Sequence, residues 1–112
     1  MKKIILQVAF LLFLTASVYS QNIYCVNSIK DADLKVYLVD NENQADLCVY
    51  FTNSENQAAG INGKWNFVAY ENEASLKIFF TNQYQKSDLK IFFVDSESKA
   101  GWKNKQKQSI LK

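Results

Sequence analysis

The chain contains no histidine, no arginine and no proline. Each absence closes a class of function. Without His there is no Ser–His–Asp or Cys–His relay and no His-bearing zinc site, and two cysteines cannot make a Cys₄ site. Without Arg there is no bidentate fork for phosphate, carboxylate or guanine. Glycine occurs only at positions 60, 63 and 101, so most turns must be built without it. The two cysteines, Cys25 and Cys48, form no Cys-x-x-Cys redox pair. What remains is 112 residues, 48% hydrophobic, 14% aromatic and 21% charged. That is enough for one small domain with a packed core.

The N-terminus has the layout of a secretory signal peptide. Lys2 and Lys3 precede an apolar run from Ile4 to Leu14, broken only by Gln7. A short, less apolar exit ends in Val18-Tyr19-Ser20, which suits the −3 and −1 positions of a cleavage site. The run is too short to span a membrane. Cleavage would leave Gln21 first, with no membrane span in the mature chain. The remaining body is mildly acidic, and the end carries Lys99, Lys103, Lys105, Lys107 and Lys112. Residues 105–112 read as a flexible basic tail.

An internal repeat organises the rest. Ala32-Asp33-Leu34-Lys35-Val36-Tyr37 recurs 13 residues later as Ala45-Asp46-Leu47-Cys48-Val49-Tyr50. Ala74-Ser75-Leu76-Lys77-Ile78-Phe79 likewise recurs 13 residues later as Ser87-Asp88-Leu89-Lys90-Ile91-Phe92. An offset of 42 maps the first pair on the second without a gap. The mature domain, 21–104, is therefore a tandem duplication with halves 22–63 and 64–105, each of three strand-and-turn units. The apolar stretches are short and rich in β-branched and aromatic residues, as strands are. The prediction is an all-β single domain of six or seven short strands. The polar turns between strands contain neither Gly nor Pro, so Asn and Asp are expected to supply left-handed positions and side-chain bonds to the backbone.

The Ala-Asp-Leu units with their 13-residue step, and the closing Ala100-Gly101-Trp102-Lys103-Asn104, resemble the 7(1) septoil knot domain, a small bacterial domain of uncharacterised function. The resemblance spans about residues 22–105. It implies a seven-crossing torus knot and supplies no catalytic residues.

Several residues carry candidate chemistry. Asp33, Asp46 and Asp88 recur just before strand starts, with Ser75 in the fourth place. A carboxylate set for acid–base work competes with a backbone-capping role, which the Ser replacement favours. Asp40-Asn41-Glu42 and Asp95-Ser96-Glu97 are oxygen-rich but lack the spacing of a calcium loop. Cys25 and Cys48 read as one disulfide in an exported chain, yet their strand phases put them on opposite faces, so two separate packed thiols stay open. Trp65 and Trp102 read either as contact aromatics for a sugar or peptide or as core packing.

These observations predict a protein with no catalytic residue, no cofactor and no metal, exported to the periplasm or medium. It is expected to be a monomeric, non-enzymatic scaffold or binding protein whose partner is a cell-envelope protein or a glycan, and not nucleic acid. The alternative is a secreted or periplasmic inhibitor of a hydrolase such as a lysozyme or protease.

Overall fold

A computed structural model describes residues 21–53 and 62–111. The signal peptide expected over 1–20 lies outside the described residues. Seven strands form: β1 (Asn22–Cys25), β2 (Leu34–Leu38), β3 (Leu47–Thr52), β4 (Lys64–Phe67), β5 (Leu76–Phe80), β6 (Leu89–Val94) and β7 (Gly101–Trp102). Their order is β4-β1-β5-β2-β6-β3-β7, and a further β3–β4 pairing closes the first six into a barrel. All pairs within the barrel are parallel, and β7 alone is antiparallel, on β3. Strands of the first half alternate with strands of the second all the way round.

Parallel strands usually need a crossover of about a dozen residues or more. Here the crossovers 26–33, 39–46, 68–75 and 81–88 are shorter, and the register explains why. Ile91 of β6 pairs with Leu38 on one side and Leu47 on the other. Leu38 ends β2 and Leu47 begins β3, so the chain moves sideways over β6 without travelling back. The same geometry places Ile78 between Cys25 and Leu34, Ile23 between Phe67 and Leu76, and Val36 between Phe80 and Leu89. A crossover of this length plus a five-residue advance along the strand accounts for the 13-residue step in the sequence.

Crossovers of each half lie over strands of the other. Val26 N–H donates to the Ile78 carbonyl and Val39 N–H to that of Ile91, so first-half crossovers are pinned on β5 and β6. Val68 N–H donates to Ile23 and Thr81 N–H to Val36, so second-half crossovers are pinned on β1 and β2. This mutual winding of two chain halves is what a torus knot requires.

The turns differ from expectation. Each of the four crossovers, like the connection from β6 to β7, holds one 3₁₀ turn, such as Glu42–Gln44 and Glu97–Lys99, flanked by extended residues. Among the described residues no Asn or Asp has positive φ; only Gly63 and Gly101 do. A single 3₁₀ turn between extended residues carries the chain across the neighbouring strand without a left-handed step.

Neighbouring barrel strands are offset by about two residues in one sense, a large stagger. Inward positions therefore fall in rings of six. The middle ring is Ile23, Val36, Val49, Trp65, Ile78 and Ile91, all without exposed surface. The ring towards the strand starts is Gln21, Leu34, Leu47, Gly63, Leu76 and Leu89, all but Leu76 buried. The lower end is closed by the C-terminal segment. In place of the flexible tail expected from residue 105, Lys105–Leu111 forms a 3₁₀ helix, and Leu111 joins the core with Trp102 packed against it. One apolar residue that finds a pocket at the barrel end outweighs the fraying expected of a lysine-rich terminus.

Candidate functional site

The recurring aspartates sit one residue before β2, β3 and β6. The Asp33 carboxylate accepts the Lys77 N–H at 2.9 Å, that of Asp46 the Lys90 N–H at 2.8 Å, and that of Asp88 the Lys35 N–H at 2.8 Å. Ser75 Oγ accepts the Asn22 N–H at 2.9 Å. Each clip fastens the end of a crossover to the strand it has just crossed. The capping role, not an acid–base set, occupies these oxygens.

The oxygen-rich turns are likewise engaged piecemeal. Asn41 Oδ1 accepts the Asn43 N–H at 2.9 Å. Glu42 bridges Lys103 at 2.7 Å, Asp95 bridges Lys99 at 3.3 Å, and Glu97 bridges Lys64 at 2.9 Å. These oxygens turn to different partners and do not converge.

Both cysteines are free thiols, Cys25 exposed and Cys48 buried. Asn22 and Thr52 both flank Asn66. Cys25 stands three residues beyond that level on β1, and Cys48 four residues before it on β3. Their separation far exceeds the ~7 Å between Cα atoms that a disulfide spans, so the disulfide reading is corrected. Burial raises the pKa of both thiols, and at Cys48 the Glu42 charge adds to it.

The tryptophans part company. Trp65 lies in the middle ring with no exposed surface, so the contact role weighed for it is corrected to core packing. Trp102 is half-buried and lines an open cleft of about 520 Å³ with Lys64, Glu97, Lys105 and Gln108. The Lys64–Glu97 ion pair neutralises part of that cleft, which gives it no directed chemistry.

The stronger candidate is the opposite end of the barrel. The ring at the strand ends is Cys25, Leu38, Phe51, Phe67, Phe80 and Phe93. It continues the core in phase, yet Leu38 is 46% exposed, Phe51 56%, Phe80 40% and Phe93 37%. Phe51 stacks on Phe67 with centroids 5.0 Å apart, Phe67 meets Phe93 edge-on at 6.4 Å, and buried Trp65 supports Phe67 from below at 6.1 Å. The next positions outward are Asn27, Asp40, Asn53, Ala69, Asn82 and Asp95, all exposed. A groove of about 310 Å³ leads off past Phe93 between Glu42, Asp95 and Lys99. This is an apolar, largely aromatic centre with a polar, mildly acidic rim, the anatomy of a recognition surface. It holds no nucleophile–base pair.

Sequence reading missed these residues because Phe51, Phe80 and Phe93 share the phase of the core. The available signal was that the last inward position of each full strand is large and apolar, followed two residues on by Asn or Asp.

Comparison with curated proteins and with solved structures gives no match. A family model described as the 7(1) septoil knot domain matches residues 20–103. With the interleaved parallel barrel and the mutual crossovers, that match places the chain in the 7(1) septoil knot domain family.

Proposed function

We propose that this is an exported, non-enzymatic binding protein that presents the Phe51–Phe67–Phe80–Phe93 end of its barrel to a protein of the cell envelope. The observation that carries the reading is the contrast between rings. The middle ring is sealed and the lower ring is buried except at Leu76, while the third ring, of the same phase, leaves four large apolar side chains substantially exposed. Exposed apolar surface of this kind on a small domain is costly for solubility unless it is used. The flat aromatic pair at its centre and the Asn and Asp rim suit a protein surface, where a dry centre and a hydrogen-bonding edge work together.

The test compares immobilised wild type with a Phe51→Ser/Phe93→Ser double variant in envelope extract. Circular dichroism establishes that the variant is folded. A protein retained by wild type, lost with the variant and bound again after its own purification supports the reading. Retention unaffected by the substitutions, or no retained protein, overturns it. A hydrolase retained one to one and silenced by the domain would make the binding protein an inhibitor.

A further inference from the structure

Gln21 is only 6% exposed. Its carbonyl accepts the Asn66 N–H at 3.0 Å, so the residue is fixed in the sheet. Its side-chain Oε1 is buried with no hydrogen-bond partner. Beside it in the register, one position before the Asn22–Asn66 pair, lies Trp65, whose Nε1–H is also buried without a partner. The other positions beside it, in and just before β4 and β5, are Gly63, Asn66, Ala74, Ser75 and Leu76. None of the described positions beside it in the register carries a carboxylate.

Processing after Ser20 would put a charged α-ammonium on this residue. An ammonium on a residue this buried, with no carboxylate at the positions beside it, is strongly disfavoured. An uncharged carbonyl-bearing group is not. We propose that Gln21, once it becomes the first residue, cyclises to pyroglutamate. The lone pair of the neutral α-amine attacks Cδ of its own side chain. The Nα–Cδ bond forms, the Cδ–Nε2 bond breaks, and the amide nitrogen leaves as ammonia with the proton given up by the amine. No electron is gained or lost and no co-reactant is consumed. The lactam keeps one N–H and one carbonyl and carries no charge. The ordinary pKa of an α-amine, about 8, leaves a neutral fraction for the attack. The step belongs to the interval between processing and docking of β1, because a residue fixed and buried in the sheet is no longer free to close the ring.

The inference rests on the export reading, and the experiment separates the two. Full-length chain is expressed in an exporting cell, recovered from envelope or medium, denatured and cut after lysine. The expected N-terminal peptide runs from position 21 to Lys30, is lighter by one ammonia and is closed to Edman degradation of the intact protein. An unmodified peptide starting at Gln21 overturns cyclisation and leaves export standing. A chain starting at Met1 overturns both. A Gln21→Ala variant keeps its free amine, so after denaturation an aminopeptidase should shorten it while leaving wild type intact. Equal shortening of the two overturns the proposal.

Discussion

Asp46 and Lys90 hold each other twice. The Asp46 N–H donates to the Lys90 carbonyl at 2.7 Å, and the Lys90 N–H donates to the Asp46 carboxylate at 2.8 Å. The pair joins the end of a crossover to the strand beneath it, and Asp33 with Lys77 and Asp88 with Lys35 repeat the arrangement. Asp46 carries more than its counterparts. Its carbonyl accepts the N–H groups of Lys103 and Asn104, and its carboxylate meets Asn104 Nδ2 and Lys107 Nζ.

Replacing Asp46 should therefore cost more than replacing Asp33. Asp46 is buried and Asp33 is exposed. Asp46→Ala is expected to lose about 2–4 kcal/mol, because it leaves the part-buried Lys90 N–H without its acceptor and removes the side-chain contacts to Asn104 and Lys107, and Asp33→Ala about 1 kcal/mol. Chemical denaturation, with time allowed for slow equilibration, checks the order. Equal losses would mean that the hub role of Asp46 is wrong.

Gly63 is the one lower-ring position that no larger residue can occupy. Its φ is +89°, and a Cβ there would collide with the Cys48 carbonyl oxygen. Gly63→Ala should cost roughly 2–4 kcal/mol by adding backbone strain to a clash that backbone atoms cannot relieve. Gly101, with open space around its missing Cβ, should tolerate the same change with a smaller loss, measurable in the same titration.

The thiols should react one at a time. Cys25 is exposed at the barrel end, and Cys48 is buried where β3 pairs with β7. A maleimide is expected to label Cys25 in the native protein and Cys48 only after unfolding, as read by mass before and after denaturant. Two protected thiols, or an intact disulfide in exported protein, would contradict the geometry.

The Glu42–Lys103 bridge predicts a local response to acid. Lys103 holds Glu42 below the usual carboxylate range, first by the hydrogen bond and then by its charge, and Glu42 raises Lys103 in return. The glutamate's contribution is present above its unfolded pKa and fades as pH falls through the lower folded value. The lysine's is present below its unfolded pKa and fades as pH rises through the higher folded value. Both ends are exposed, so the effect on global stability is small. Once the intrinsic slowing of amide exchange in acid is divided out, protection of residues 103–111 should nonetheless fall as pH drops, and Glu42→Gln should weaken that pH dependence. An unchanged profile in the variant would remove the bridge from the account.

Much of the barrel was readable in the residues because each unit states its own secondary structure. Val36, Ile78 and Ile91 announce strands, the 13-residue step announces repetition, and Ser75 in an Asp position announces capping. Pairing was not readable. Lys35 meets Asp88 across 53 residues and Lys77 meets Asp33 across 44, and no local pattern encodes such a partner. The same gap hid the candidate site. Phe93 and Ile91 have the same phase and similar hydrophobicity, and only height on the barrel exposes one and buries the other. Leu111 was misjudged for the reverse reason, since its pocket exists only once the barrel end has formed.

The alternation of halves has a consequence for the order of events in a newly made chain. No strand of the first half pairs with another strand of the first half; β1, β2 and β3 find every partner in β4 to β7. A ribosome that has delivered only the first half has delivered nothing that can make a sheet. The nascent segment stays extended until the second half emerges, and the ladders can form only after nearly the whole sequence is available. Any translocation channel that took up such a chain during synthesis, before the second half had emerged, would meet no sheet to undo.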